Sequence, residues 1–305
     1  MFVSRYKGGY IANIDYSNLE MRILGLVTLD PGMYKTFATG GDIHADTAAA
    51  AFSVPREDVT KDLRQQAKSV NFGISYGETK FNLAKKLNIT PDEAQELIDK
   101  IVNSRPRMKK FIEDMHHQVT NYGYVNTMNG FRRMLLEGMS NDQKLVSGAE
   151  RQSVNTFVQG SGAILTNTAV YYAVEAFKKY KLKSKIIATV HDSIVIDVHP
   201  DEAYAAPELV LHIMENLPYP WLMVNVGGKP KRYPITAEMS IGHNYADQVD
   251  FDPDEAKKFD SVGQYIEYNR KLGLISDLED SGQITKIQQK ALNERIKQGY
   301  PKVFA

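Results

Sequence analysis

Two apolar runs, Ile186 to Val190 and Ile194 to Val198, are separated only by His191-Asp192-Ser193, and no other feature narrows the fold as far. Strand-like runs this close pair as a tight antiparallel hairpin, because a parallel return needs a long crossover. An earlier segment, Tyr10-Ile11-Ala12-Asn13-Ile14-Asp15, alternates apolar and polar residues as a half-buried strand does and ends on an acid. Asp15 and Asp192 therefore end or punctuate two β segments 177 positions apart (192 − 15), and they meet if those segments share a sheet. Paired carboxylates on a rigid sheet can hold Mg²⁺, which takes hard oxygen ligands; two such ions clamp the attacking and leaving oxygens of a phosphoryl transfer. From pattern alone, an Asp at a strand end is more often an ordinary turn former.

The intervening chain reads as mostly α. Helix-favouring segments run at about Asp58 to Tyr76, Pro91 to Asn121 and Asp142 to Tyr180, broken by Asn121-Tyr122-Gly123 and Asn129-Gly130. Later strand-like runs, Leu222 to Val226 and Tyr233 to Ile241, are joined by Gly227-Gly228-Lys229-Pro230. Beyond Tyr245 charged and amide residues at helical spacing read as a helical appendage from about residue 246. With 305 residues, 43% of them hydrophobic, the chain can bury a core of one large or two modest domains. Thirty-seven basic and 37 acidic side chains cancel, so any hold on nucleic acid must come from local patches. The absence of cysteine excludes disulfides, thiolate metal sites and a cysteine nucleophile. No stretch approaches the roughly 18 apolar residues of a membrane span. Residues 1–15 lack the apolar core of a signal peptide, and the default expectation is a soluble, cytoplasmic protein.

Two helical rows carry further chemistry. Arg64, Lys68, Phe72 and Tyr76 lie four apart, so a basic pair precedes two aromatics on one face. That order suits a polyphosphate held by charge and a base or sugar stacked on rings, and it also describes an amphipathic helix with a solvated basic end. Arg151, Asn155 and Gln159 form a polar row of hydrogen-bonding forks suited to base edges or sugars in a minor groove, or to plain solvation.

Together these segments resemble the family A DNA polymerases, the group of bacterial DNA polymerase I. The resemblance rests on Asp15-Tyr16-Ser17-Asn18-Leu19-Glu20-Met21-Arg22, on Arg64-Gln65-Gln66-Ala67-Lys68 running through Asn71-Phe72-Gly73 to Tyr76-Gly77, and on Val190-His191-Asp192-Ser193. Gly41-Asp42-Ile43-His44, Thr127 to Arg133 and Arg151 to Gly160 extend it from about residue 10 to 245. It implies an α+β fold: a palm with an antiparallel β-sheet plus α-helical fingers, without thumb or exonuclease domains and with a C-terminal helical extension. The implied domains are residues 1–50 and 146–245 for the palm, 51–145 for the fingers and 246–305 for the extension. The implied activity is template-directed DNA synthesis from dNTP on a primer, with two Mg²⁺ ions, a role Mn²⁺ can also fill.

By resemblance Asp15 and Asp192 are the metal carboxylates, joined by the Tyr16 backbone carbonyl. Glu20 is the steric gate against a ribose 2′-hydroxyl. Arg64 and Lys68 grip the triphosphate, with Lys68 also the general acid for departing pyrophosphate. Phe72 packs on the sugar, as in members that discriminate against dideoxynucleotides. Tyr76 stacks at the template, and Arg151, Asn155, Gln159 and His191 contact primer-template DNA. Ser193 departs from the family, which usually has Glu there, and this implies retuned metal handling. The first palm Asp comes about 14 residues into the sequence, which leads to the expectation of a split polymerase of bacteriophage type. A separate polypeptide would then supply the thumb and remaining palm, with or without an exonuclease; no membrane partner is implied. The competing expectation is a non-catalytic, polymerase-derived scaffold, against which stand the retained Asp15, Asp192, Arg64 and Lys68. A related single-subunit RNA polymerase is the other alternative, and Glu20 favours DNA synthesis over it.

Overall fold

The computed structural model describes residues 2–76, 78–300 and 303, and the side chains of Ser75 and Tyr76 lie outside that description. The chain divides into two compact units, one formed by Met1–Ser17, Thr166–Leu217 and Thr236–Ala305, the other by Asn18–Leu165 and Pro218–Ile235. The architecture is α+β with an antiparallel sheet, as the sequence implies.

In the first unit the sheet runs in the order Lys185–Val190, Ser193–Val198, Tyr10–Tyr16, Ala237–Gly242 and Val249–Asp250, every pair antiparallel. The expected hairpin is present: Val190 pairs with Ser193 around a two-residue turn. His191 enters that turn at φ 54, the positive value that tight hairpin connections demand. Ser193 Oγ donates to the Val190 carbonyl at 3.0 Å, so the serine closes the hairpin. The Ser193–Val198 strand is buried at every residue, which explains why its apolar run is continuous and not alternating. Ile194, Ile196 and Val198 are fully buried, each contributing about 1.5–3 kcal/mol by leaving water. Asp197, inside the same strand, is buried and matched by Arg5 Nε at 2.7 Å and Ser4 Oγ at 2.6 Å. Helix Ala205–Glu215 packs on the sheet and receives the Tyr16 hydroxyl at the Met214 carbonyl, 2.8 Å.

The segment after residue 245 is more than a row of helices. Val249–Asp250 forms the last strand of the sheet, and the Phe251 N–H donates to the Met239 carbonyl at 2.8 Å. Helix Val262–Asp280 then buries Val262, Tyr265, Ile266, Tyr268 and Ile275. Phe251 stands 6.2 Å from Tyr10 and 5.9 Å from Tyr265, so an aromatic chain ties this helix to the first strand. By contrast helix Lys286–Gln298, although started by a capping box at Thr285, buries no residue.

The second unit is helical. Ile43–Phe52, Lys61–Tyr76, Lys80–Leu87 and Pro91–Ser104 enclose a core of Ala51, Val70, Ile74, Leu83, Ala84, Ala94 and Ile101, which Met108 of the next helix completes. Two local signals read differently in three dimensions. The segment expected as one helix from Pro91 to Asn121 is two, Pro91–Ser104 and Pro106–Tyr122. Pro106 lacks an N–H and pushes Arg105 out of the α region, to φ −128 and ψ 73. The run Met223–Val226 turns through Gly227-Gly228 onto Lys229–Arg232, while Ala237–Gly242 belongs to the five-stranded sheet. No described helix is long and apolar enough to cross a membrane.

Candidate active site

The sheet unit brings the two expected carboxylates together. Register places Asp15 opposite Ser193 on one neighbouring strand and opposite Glu238 on the other, and Asp192 occupies the hairpin turn beside Ser193. Period-two alternation aims Asp15 away from the face that carries Ile14 and Tyr16. Partial burial, then the charge of Asp192 and a side-chain hydrogen bond with it, then the charge of Glu238 push the Asp15 carboxyl up to about 7. Two carboxyls this close share a proton or a cation. A pair of hard oxygen donors strained by its own repulsion fits Mg²⁺, which commonly takes one or two protein carboxylates and completes its shell elsewhere. Among the described residues no group of three His, Cys, Asp or Glu side chains forms a metal cage. Tyr16 ends the first strand, and His191 is exposed at the turn.

The helical unit gathers the expected cations around an ordered polar network. Arg64 and Lys68 are half-buried on the Lys61–Tyr76 helix, and the Lys68 ammonium lies 5.9 Å from the Phe72 ring centre. Arg64 Nε donates to Asp42 Oδ2, while Asp42 Oδ1 caps helix Ile43–Phe52 by accepting from the N–H groups of His44 and Ala45. Burial raises the Asp42 carboxyl, but hydrogen bonds from Arg64 and the two backbone groups outweigh it and hold the group below the ordinary carboxylate range. His44 is 1% exposed, with its ring 5.8 Å from that of Phe72. Its Nδ1 accepts from Asn71 at 3.0 Å, which leaves Nε2–H to donate to Asn18 at 2.9 Å. Burial, reinforced by Arg64, Lys68 and Arg105 against the pull of Asp42, lowers His44 to about 4 and keeps the ring neutral. Asn71 also donates to Thr47 at 3.0 Å, and Thr47 accepts from Arg105 Nη2 at 2.7 Å.

Glu20 lies in the first turn of helix Leu19–Thr28, where Gln159 Nε2 donates to its Oε1 at 3.4 Å. Gln159 sits with Arg151 and Asn155 on the 37-residue helix Gln143–Lys179. The Asn155 side-chain oxygen is buried without a hydrogen-bond partner among the described residues. The Tyr76 side chain, expected at the template, lies outside the described residues. Sequence reasoning gave no role to Asp42, His44, Asn71 or Glu238. The first two stood in the quoted Gly41-Asp42-Ile43-His44 segment, whereas nothing in the spacing of Glu238 tied it to Asp15.

A carboxylate pair lies on an antiparallel sheet and a cationic row on a helix with aromatic neighbours, and comparison with known proteins identifies the class of the chain. Residues 1–247 match DNA polymerase family A, and the chain belongs to that family. It is 35% identical over 287 residues to the DNA polymerase of Bacillus phage SP01, covering 92% of this chain and 30% of that protein. It is 36% identical over 208 residues to DNA polymerase I of Borreliella burgdorferi, covering 68% of this chain and 23% of the relative. The chain thus spans less than a third of the length of these curated relatives. Among solved structures it resembles the polymerase domain of Pol1 from M. smegmatis in complex with DNA primer-template and dNTP. The TM-score is 0.71 at 30% identity, over 80% of this chain and 41% of that one.

Proposed function

We propose that this chain carries the nucleotidyl-transfer centre of a DNA polymerase, moving a deoxynucleoside monophosphate from a dNTP to a primer 3′-OH as a template directs. The observation that carries the reading is the carboxylate pair: strand register and the hairpin turn put Asp15 beside Asp192, and burial first, then the charge of Asp192, raises Asp15 to about 7. Family membership and the primer-template and dNTP in the related Pol1 structure support it. In this reading residues 1–50 and 146–245 act as the palm and residues 51–145 supply the fingers.

Asp15 and Asp192, with the Tyr16 backbone carbonyl, would hold Mg²⁺, which would supply stabilisation of negative charge on the attacking and leaving oxygens. The primer 3′-OH gives up its proton to solvent and its oxygen forms a bond to the α-phosphorus as the bond from that phosphorus to the β-phosphate bridging oxygen breaks. Lys68 gives its proton to that departing oxygen, so pyrophosphate leaves with its new charge partly neutralised. Arg64 binds the triphosphate through its guanidinium fork, a geometry matched to phosphate oxygens. Glu20 fills the space of a 2′-hydroxyl, Phe72 packs on the sugar, and Tyr76 stacks at the template. Arg151, Asn155, Gln159 and His191 contact primer-template DNA. What the longer relatives carry beyond the shared stretch is required for strong DNA binding. A separate polypeptide with thumb and remaining palm is the source we favour, since most affinity for duplex comes from basic phosphate contacts and this chain has none to spare in net charge.

The test is Mg²⁺-dependent extension of a primed DNA template by the chain alone and by the chain with whatever copurifies from its source, each beside Asp192→Ala. Extension that vanishes in the variant supports a working site on this chain, and a requirement for the copurified material supports the separate subunit. Extension equal in parent and variant, or absent from both preparations, sinks the reading in favour of a non-catalytic scaffold.

A further inference from the structure

Arg64 is held by a carboxylate at a neighbouring helix end. Its Nε donates to Asp42 Oδ2 at 2.5 Å, in a pair that leaves 43% of the Arg64 side chain and 32% of the Asp42 side chain exposed. The second carboxyl oxygen of Asp42 is committed elsewhere, accepting from the His44 and Ala45 N–H groups at 3.0 and 3.2 Å as the N-cap of a ten-residue helix. The carboxylate is therefore fixed to a helix end and cannot swing to follow a moving guanidinium. A guanidinium is a planar fork of five N–H donors, so a contact through Nε sets the plane and leaves the Nη end for a second anion. Arginine otherwise loses one of the largest rotamer entropies of any side chain when it is ordered, and a fork oriented in advance binds an anion at lower entropic cost.

The surroundings favour the same division of labour. His44, next to the cap, is buried and bonded on both ring nitrogens, so it neither competes for Asp42 nor adds charge beside Arg64. Lys68 follows one turn along the helix from Arg64. One negative charge against two positive ones leaves a net cationic face.

We propose that Asp42 is a positioning residue that presets the Arg64 guanidinium for the phosphates of the incoming nucleotide, so that it governs nucleotide affinity more than the rate of bond formation. The proposal rests on the triphosphate role given to Arg64 above. Asp42→Asn is the discriminating variant, because Asn is as good an N-cap as Asp yet its amide nitrogen cannot accept from Arg64 and its single oxygen is engaged by the cap.

The experiment compares the extension-competent preparation of the parent with Asp42→Asn, Arg64→Ala and the double variant, measuring KM and kcat for dNTP and inhibition by pyrophosphate. Asp42→Asn is expected to raise KM about fivefold with a smaller change in kcat, the size expected for loss of a partly exposed ion pair. Inhibition by pyrophosphate should weaken by a similar factor, a readout that a purely structural role would leave unmoved. In the Arg64→Ala background the second substitution should add less than about twofold, since coupled residues do not add. A KM within about twofold of the parent, or losses that multiply in the double variant, overturns the role of Asp42. If Arg64→Ala itself leaves KM unchanged while Asp192→Ala still abolishes extension, the triphosphate assignment of Arg64 falls and takes this proposal with it, with the carboxylate centre standing.

Discussion

The sheet unit and the helical unit fix their charged groups by different physics. In the sheet, Asp15 and Asp192 meet because strand register and a two-residue turn put them there, and like charges there repel one another. In the helical unit Arg64 is held by an opposite charge on a neighbouring helix end, and His44 by the side-chain amides of Asn71 and Asn18. Backbone geometry can enforce an unfavourable pairing because a whole sheet stands behind it. Side-chain pairs cannot, so in the helical cluster the Asp42 carboxylate takes an opposite charge, the Arg64 guanidinium, as its partner. The proposed function uses the first kind of scaffold for the cation and the second for the phosphates.

The predictions follow from that contrast. Asp15→Asn relieves the repulsion without disturbing the strand, so thermal stability should hold or rise while the extension rate falls on the order of a hundredfold to a thousandfold; a variant that keeps its rate breaks the comparison at its centre. Asn71→Ala should do the reverse. It strips the partner of the buried His44 ring and of Thr47, costing about 2 kcal/mol in urea denaturation, and an unchanged midpoint would show that the network is not what orders this unit. Glu20→Ala should leave stability nearly intact and raise ribonucleotide incorporation by about tenfold, the scale on which a pocket discriminates one small group. Unaltered sugar preference in primer extension would remove Glu20 from the gate.

The smallest effect is a pH dependence. His44 is neutral in the folded chain with its value lowered to about 4, so on acidification the unfolded chain takes up a proton first. Stability should therefore fall as the pH drops from about 6.5, the ordinary histidine value, towards 4. His44→Gln should flatten that limb of a melting-temperature profile, and an unchanged slope would assign the acid sensitivity to other groups.

Much of the sheet centre was legible in the chain. Side-chain alternation in Tyr10–Tyr16 and the two apolar runs around His191 and Asp192 need only local rules, and the motif resemblance spans the same residues. The helical stripe Arg64, Lys68 and Phe72 was legible as a stripe, though not its partners, because Asp42 lies 22 residues from Arg64 on another helix and Asn71 lies 27 from His44. The break at Pro106 follows from the proline itself, which sets the preceding Arg105 outside the α region. Val249–Asp250 could not be read, since two residues carry no period; they form a strand only because Ala237–Gly242 offers an open edge.

By itself, then, the sequence determined the antiparallel hairpin, the helical middle and the chemical types at the centre, since each follows from periodicity, turn chemistry or motif within a short span. Only the tertiary structure decided which charge faces which. It placed Glu238 beside Asp15, Asp42 beside Arg64, and Phe251 between Tyr10 and Tyr265. Those meetings depend on strand order and helix packing summed over the fold, and contact energies of about 1 kcal/mol each leave no local signature.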